Sequence, residues 1–145
     1  MENEKIIDIL LIEDNPGDSR LVKEVFKERE LKHNLIIVYD GVEATDYLFK
    51  RNANINAKRP DLIILDLNLP KKNGIEVLHE IKLDESLKSI PVIVLTTSKS
   101  EEDIINTYNS HANCYMIKPL NLNDFFETVK AIENFWLNFV KLPTL

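Results

Sequence analysis

The sequence contains few of the features that mark several large classes of protein. Cys114 is the only cysteine in the 145 residues, which excludes an internal disulfide framework and favours a reducing compartment. The three glycines form neither a G-x-G-x-x-G loop nor a Walker-type loop, which argues against a nucleotide-binding protein. Internal repeats and low-complexity segments are also missing. The chain is therefore expected to be an ordinary globular protein.

Long apolar runs and basic clusters are missing as well. No run approaches the roughly 20 apolar residues that cross a bilayer, and Met1–Lys5 is polar, unlike a signal peptide. The net charge is −6 and no cluster of Lys and Arg stands out, which argues against a nucleic-acid-binding surface. We therefore predict a cytoplasmic protein that contacts neither membranes nor nucleic acids.

Five apolar, strand-like runs alternate with segments of helical periodicity. The predicted strands are Ile6–Ile12, Asn34–Tyr39, Leu62–Leu65, Val92–Thr96 and Cys114–Ile117. This alternation is typical of an α/β protein whose parallel sheet is covered by helices on both faces. We predict a flavodoxin-like doubly wound sheet of five strands in the order 2-1-3-4-5, with five helices. The length fits one domain over residues 1–145.

Capping residues mark the start of four of the helices. Asn15, Asn73, Ser100 and Asn121 are each followed three residues later by Asp or Glu, as at helix N-termini. The last helix is predicted to run from near Asn121 to about Lys141, which leaves only Leu142–Leu145 as a tail and no output domain.

Acidic residues end two of the apolar runs. Glu13-Asp14 follows the first strand and Asp66 follows the third. In the predicted strand order these strands are neighbours, and their carboxyl ends meet where open α/β sheets place ligand sites. Three carboxylates that are close repel one another unless a hard cation such as Mg²⁺ or Mn²⁺ lies among them. The pattern predicts a metal-dependent site with a reactive aspartate.

Several motifs in this order and spacing resemble a known family. They are Glu13-Asp14, Asp66-x-x-x-Pro70-x-x-x-Gly74, Thr96 at the end of the fourth strand, and Tyr115-x-x-Lys118-Pro119. The set resembles the receiver domain of bacterial and archaeal response regulators, from about Ile6 to the last helix.

The resemblance implies a phosphoryl-transfer site. Asp66 would accept a phosphoryl group from a sensor histidine kinase and later lose it to water, as a phosphoacceptor rather than a dedicated enzyme. Glu13, Asp14 and Asp66, with the backbone carbonyl of Asn68, would hold Mg²⁺ or Mn²⁺.

Further residues have roles implied by the family. Lys118 and Thr96 would contact the phosphoryl group, Tyr115 would act as a rotamer switch, and the Lys118–Pro119 bond would be cis. Thr97 departs from the family pattern, which has a very small residue at this position. We expect its branched side chain to narrow access to Asp66 and to slow reaction with small phosphodonors.

The end of the chain indicates partners. The chain resembles the small receivers found beside phytochrome-like and other sensor histidine kinases, which commonly form homodimers. The resemblance rests on Glu133-Asn134-Phe135-Trp136-Leu137, together with Glu13-Asp14-Asn15-Pro16-Gly17-Asp18 and Val94-Leu95-Thr96-Thr97-Ser98. Phe125, Val129, Ile132 and Trp136 form a predicted inward stripe, whereas Phe126, Phe135, Leu137, Phe139 and Val140 lie outside it. A helix apolar around much of its girth favours a second burial surface. We predict a homodimer through the fourth helix, fifth strand and fifth helix, with Phe135, Phe139 or Val140 buried.

Two other classes of protein share part of this pattern. A haloacid-dehalogenase-like phosphatase needs a second Asp two residues after the nucleophile, and this chain has Asn68 there. A receiver-like docking module that is never phosphorylated remains open, although such modules tend to lose the acidic residues or the lysine, and this chain has all of them.

Overall fold

The computed structural model describes residues 6–28 and 33–143. The polar stretch Met1–Lys5 and the last two residues of the tail lie outside the described residues. The strands are β1 Ile7–Ile12, β2 His33–Val38, β3 Leu62–Leu65, β4 Val92–Thr96 and β5 Cys114–Ile117. The helices are α1 Pro16–Lys27, α2 Gly41–Leu48, α3 Gly74–Leu83, α4 Glu101–Asn109 and α5 Leu122–Asn134, with a short 3-10 helix at Asn52–Asn54 and a π-helix at Phe135–Phe139.

The five strands form one parallel sheet in the order β2-β1-β3-β4-β5. The predicted strand order and fold class are therefore confirmed. Three strands have the predicted bounds, and the other two differ by one residue at their ends. The central strands β3 and β4 are buried throughout, because helices cover both faces of a doubly wound sheet.

The core consists of two layers on opposite faces of the sheet. Leu10 and Ile12 of β1 point into the layer that contains residues of α2 and α3. Ile9 and Leu11 of the same strand point into the layer that contains residues of α1 and α5. Because successive side chains of a strand point to opposite faces, one apolar run supplies both layers.

The four predicted helix starts are confirmed as capping interactions. The side chains of Asn15, Asn73, Ser100 and Asn121 each accept a hydrogen bond from the backbone N–H three residues later. The start of α2 went unrecognised in the sequence, although Asp40 caps it in the same way by accepting from the Glu43 N–H.

Two sequence-based expectations about the last part of the chain are wrong. Leu137 is buried although it was placed outside the inward stripe. The helix widens to a π-helix at Phe135–Phe139, and the extra residue per turn rotates Leu137 toward the core. The Lys118–Pro119 bond is trans rather than cis. The trans isomer of an X–Pro bond is intrinsically preferred by about 0.5–1 kcal/mol, and in it Lys118 already reaches the acidic residues described below.

Within the described ranges, no helix is both long enough and apolar enough to cross a membrane.

Candidate phosphoryl-transfer site

The acidic residues predicted from the strand ends do converge. Carboxylate oxygens of Glu13, Asp14 and Asp66 lie within 4.8 Å of one another. The pairing of β1 with β3 aligns Ile12 with Leu65, and Asp66 donates its backbone N–H to the Ile12 carbonyl at 3.0 Å. The register of β1 and β3 therefore places the residues that follow these two strands side by side.

The loop after β3 holds Asp66 through its own backbone. Asn68 N–H donates to Asp66 Oδ1 at 3.1 Å, and Gly74 N–H donates to the Leu67 carbonyl at 2.9 Å. A Cβ atom on Gly74 would lie 2.4 Å from the Asp66 carbonyl oxygen, so only glycine permits this approach of α3 to the loop. The start of α3 therefore fixes the backbone that carries Asp66.

Lys118 lies at the centre of the carboxylates. Its Nζ donates to Asp66 Oδ2 at 2.9 Å, to Asp18 Oδ2 at 2.9 Å and to Glu13 Oε1. The side chains of Lys118, Glu13 and Asp66 are almost completely buried. The loop after β5 is anchored by Lys118 N–H, which donates to the Thr96 carbonyl at 2.7 Å. The ammonium group therefore neutralises part of the charge that the carboxylates bring together.

Burial changes the protonation of two of these groups. Burial, followed by the repulsion of Asp66, raises the pKa of Glu13 to about 8 despite its contact with Lys118. Burial by itself lowers the pKa of Lys118, but hydrogen bonds to Glu13, Asp66 and Asp18 outweigh it, so that the pKa is raised above its usual value. Lys118 is therefore a permanent cation near neutral pH, whereas Glu13 readily holds a proton when no other cation is near.

Five of the predicted site residues line one cavity beside Asp66. Its volume is about 380 Å³, and it is lined by Asp14, Asn15, Pro16, Asp18, Asp66, Asn68, Thr97 and Lys118. Thr97 thus lies where the sequence placed it, at the approach to Asp66. Thr96 is fully buried, and its hydroxyl accepts a long hydrogen bond of 3.5 Å from the Asn68 amide.

Tyr115 lies farther from the carboxylates, on the α4 side of the sheet. Its hydroxyl donates to the Ser98 carbonyl at 2.9 Å, and its ring is 6.5 Å from that of Tyr108. Ser98 belongs to the loop that follows Thr96, and its hydroxyl donates to Asp103 of α4 at 2.6 Å. Tyr115 is therefore connected to the site through this loop, while its role as a switch remains a prediction.

Asp18 was not recognised as a site residue from the sequence. The sequence identified it only as an acidic residue in the first turn of α1. A signal was available, since α1 begins two residues after Asp14 and its first turn must lie over the same end of the sheet.

The donor set suits a divalent cation. Carboxylate oxygens are the ligands that Mg²⁺ and Mn²⁺ prefer, and three of them lie close enough together to share one ion. Burial, and then the repulsion of Asp66, raise the pKa of Glu13 even with Lys118 present, so a further cation beside this carboxylate would favour its ionised form. Glu13, Asp14 and Asp66 therefore fit a divalent metal site.

Comparisons with known proteins agree with this geometry. The family model described as the response regulator receiver domain matches residues 9–130. Response regulator Rcp1 of Synechocystis sp. is 54% identical over 135 residues, which cover 93% of this chain and 92% of the relative.

Two solved structures have closely similar folds. The Mn²⁺-bound form of response regulator Rcp1 superposes with a TM-score of 0.94 at 53% identity, covering 95% of this chain and 99% of the other. The phosphorylated cyanobacterial phytochrome response regulator RcpA also gives a TM-score of 0.94, at 50% identity, covering 97% of this chain and 100% of the other. The chain described here belongs to the response regulator receiver domain family.

Proposed function

We propose that this protein is a single-domain response regulator that accepts a phosphoryl group on Asp66 from a histidine kinase. The observation that carries the proposal is the Lys118 ammonium, which contacts Asp66 Oδ2 at 2.9 Å beside two further carboxylates that can share a divalent cation. A carboxylate in this setting is a nucleophile whose surroundings can offset the charge of an incoming phosphoryl group. The relative RcpA, whose structure is that of a phosphorylated protein, supports the same reaction.

In the proposed transfer, an oxygen of Asp66 attacks the phosphorus atom carried by a kinase histidine. The new O–P bond forms as the N–P bond breaks, and the histidine nitrogen leaves with the bonding electron pair. Lys118 then contacts a phosphoryl oxygen, and the Thr96 hydroxyl donates to another. Water later attacks the phosphorus atom of the acyl phosphate, the O–P bond to Asp66 breaks, and inorganic phosphate leaves as the Asp66 carboxylate is restored. The protein thereby undergoes self-catalysed chemistry without being a dedicated enzyme.

We propose Mg²⁺ as the physiological ion, held by Glu13, Asp14 and Asp66 with the backbone carbonyl of Asn68. When bound, such an ion neutralises charge and orients phosphoryl oxygens. The Mn²⁺-bound structure of Rcp1 supports a divalent ion in a close relative.

The proposed partners are a sensor histidine kinase and a second copy of this chain. RcpA is described as a phytochrome response regulator, so phytochrome-like kinases are the first candidates to test. The proposed dimer surface comprises α4, β5 and α5 with the π-helix. It carries exposed apolar side chains at Ile105, Tyr108, Ile117, Phe135 and Phe139. Val140 packs partly against the core of its own chain, which leaves the two phenylalanines as the main contributors. The single cysteine supports a cytoplasmic location.

Phosphate incorporation at Asp66 tests the central proposal. Wild-type protein incubated with a small phosphodonor and Mg²⁺ is expected to gain one phosphoryl group, measured by intact-protein mass spectrometry. Asp66→Asn should abolish the gain, and excess chelator should abolish it in the wild type. The matched control is Asp61→Asn, since Asp61 is equally buried but lies at the opposite end of β3. Undiminished labelling of Asp66→Asn, or labelling in chelator, would show that the nucleophile or the metal requirement is wrong.

A further inference from the structure

Asp18 is a fourth acidic residue at the site. Its Oδ2 accepts a hydrogen bond from Lys118 Nζ at 2.9 Å, the same distance as that from Lys118 to Asp66. A lysine ammonium has three N–H donors, and Lys118 contacts three carboxylates, those of Glu13, Asp66 and Asp18. All of the donors of Lys118 are therefore in use before any phosphoryl group arrives.

A phosphoryl oxygen can contact Lys118 only if one of these hydrogen bonds is given up. The three acceptors differ in burial: the side chain of Glu13 is 4% exposed, that of Asp66 is 6% exposed and that of Asp18 is 27% exposed. A buried carboxylate that loses its cation pays a large desolvation penalty. Asp18 can turn toward water instead, so its hydrogen bond is the least costly to exchange.

Asp18 also changes the charge that an incoming phosphodonor meets. Its carboxylate lines the same cavity as Asp66 and Lys118. With Lys118 and a divalent cation, the three carboxylates of Glu13, Asp14 and Asp66 form a site without net charge. Asp18 adds one negative charge at the mouth of that site, and like charges repel strongly where water is partly excluded.

We propose that Asp18 is a positioning residue that competes with phosphoryl oxygens for the Lys118 ammonium and thereby selects against dianionic small phosphodonors. The inference rests on the proposed phosphorylation of Asp66. In the resting protein, the Asp18 carboxylate occupies the hydrogen bond that a phosphoryl oxygen takes after transfer. A histidine kinase brings its phosphoryl group by protein docking, and the docking contacts can offset the displacement of Asp18. A free small anion makes no such contacts, so it must displace Asp18 through its own charge and concentration.

Two small donors of different charge separate this effect from a general change in reactivity. Near neutral pH, acetyl phosphate carries two negative charges on its phosphoryl group. Phosphoramidate has a protonated nitrogen and one net negative charge. With either donor an Asp66 oxygen forms the new O–P bond. Acetate leaves in the first case with the electron pair of the broken P–O bond, and ammonia leaves in the second with that of the P–N bond. The protein gains the same phosphoryl group in both reactions.

The test measures the rate of phosphorylation by each donor for the wild type and for Asp18→Asn, which removes the charge and keeps the shape. We expect the variant to react about 2–5-fold faster with acetyl phosphate, the range that a partly exposed ion pair supports, and to gain less with phosphoramidate. The gain should shrink at high salt because screening weakens the repulsion. Affinity for beryllofluoride, a non-reacting phosphoryl mimic, should rise in the same variant. Glu24→Gln removes an exposed acid from the same helix and should change neither rate.

The possible results separate the role of Asp18 from the proposed phosphorylation of Asp66. Equal rates for wild type and Asp18→Asn, or equal gains with both donors, would overturn the selective role of Asp18. A slower variant would also overturn it, because Asp18 would then assist the reaction by orienting Lys118. If neither the wild type nor Asp18→Asn takes phosphate from either donor or from a histidine kinase, the proposed function is overturned, and the role of Asp18 with it. An unchanged circular dichroism spectrum of the variant would show that its helix content is intact.

Discussion

At the carboxyl end of the sheet, charged side chains are buried and contact one another, whereas on the outer surface of the π-helix large apolar side chains face solvent. As whole residues, Glu13 and Asp66 are 3% and 5% exposed, and the side chains of both contact Lys118. Phe135 and Phe139 are 54% and 75% exposed. The first region thus keeps charged side chains away from water, and the second keeps apolar side chains in water. Each arrangement is unfavourable for the side chains concerned.

Substitutions in the two regions should therefore affect different properties of the protein. Charges that are buried and paired leave a large penalty behind when one partner is removed, so changes there should alter the stability of the folded chain. Apolar side chains already in water lose little when they become polar, so changes there should leave the fold intact and alter association only.

The largest effect is expected from removal of the cation in the buried cluster. Lys118→Ala leaves Glu13 and Asp66 buried beside each other without their shared partner. We expect the free energy of unfolding in the presence of chelator to fall by about 3–5 kcal/mol, the usual result of breaking a buried ion pair. Urea denaturation measures the change, and added Mg²⁺ should restore part of it.

Lys72→Ala is the matched control for that experiment. Lys72 pairs with Glu80 at 2.7 Å, but the two side chains are 22% and 36% exposed. Partly exposed pairs contribute about 0.2–1 kcal/mol. Similar losses for the two lysine variants would contradict the view that burial makes the Lys118 cluster special.

The second effect concerns the proposed dimer. The double substitution Phe135→Asp and Phe139→Asp removes two side chains whose burial contributes about 1.5–3 kcal/mol each. Because each 1.4 kcal/mol is tenfold in affinity, we expect dimerisation to weaken by at least about 100-fold. Sedimentation velocity at tens of micromolar measures the change, with the thermal midpoint of the monomer nearly unchanged. A wild type that stays monomeric there, with or without beryllofluoride, refutes the interface.

The third effect is expected from a substitution where α3 closely approaches the loop that carries Asp66. A Cβ atom on Gly74 would lie 2.4 Å from the Asp66 carbonyl oxygen, so Gly74→Ala forces a backbone shift. Overpacking of this kind costs about 1–3 kcal/mol, and we expect slower phosphorylation because the loop moves. In Gly17→Ala the new atom lies 3.3 Å from Asn15 Oδ1, a side-chain atom that needs to shift by only a few tenths of an ångström, so stability should stay within about 1 kcal/mol. Equal behaviour of the two variants in urea denaturation would argue against a tight contact at Gly74.

The smallest effect is a pH dependence of metal binding. The pKa of Glu13 is raised to about 8 by burial and by Asp66, so below that pH this ligand holds a proton that a cation must displace. Affinity for Mg²⁺ should therefore rise with pH up to about 8, by at most tenfold per pH unit for one displaced proton. Calorimetric titration between pH 6 and 9 measures it. Glu13→Gln should bind more weakly and lose most of this dependence.

Local patterns were sufficient to predict the fold and most of the site. The apolar runs that became β3 and β4 identified buried parallel strands, because a strand covered on both faces has to be apolar on both sides. Capping residues such as Asn73 located helix starts, because a capping bond spans only three residues. Convergence of Glu13 and Asp66 followed from the strand order, although their chemical roles remain proposals.

Features that depend on contacts between distant segments were missed. The contact of Asp18 with Lys118 joins residues 100 positions apart, whereas the capping pattern placed Asp18 only in the first turn of α1. The burial of Leu137 depends on a π-helix that no local pattern indicated. The start of α2 was also missed, although Asp40 and Glu43 have the same three-residue spacing as the recognised caps. The long-range feature of this helix is its close approach to Lys72, where a Cβ atom on Gly41 would lie 1.9 Å from the Lys72 carbonyl oxygen.

Periodicity and short-range hydrogen bonds can be recognised along the chain, and they are enough to predict the sheet order and the position of three carboxylates at one edge of the sheet. The pairing of these charges and their exposure to water arise only when the chain is folded. Lys118 contacts Glu13, Asp66 and Asp18 at different depths, and burial, which raises the pKa of Glu13 to about 8, is a property of the packed molecule. Desolvation depends on all the atoms that surround a group, and most of those atoms are distant in the sequence.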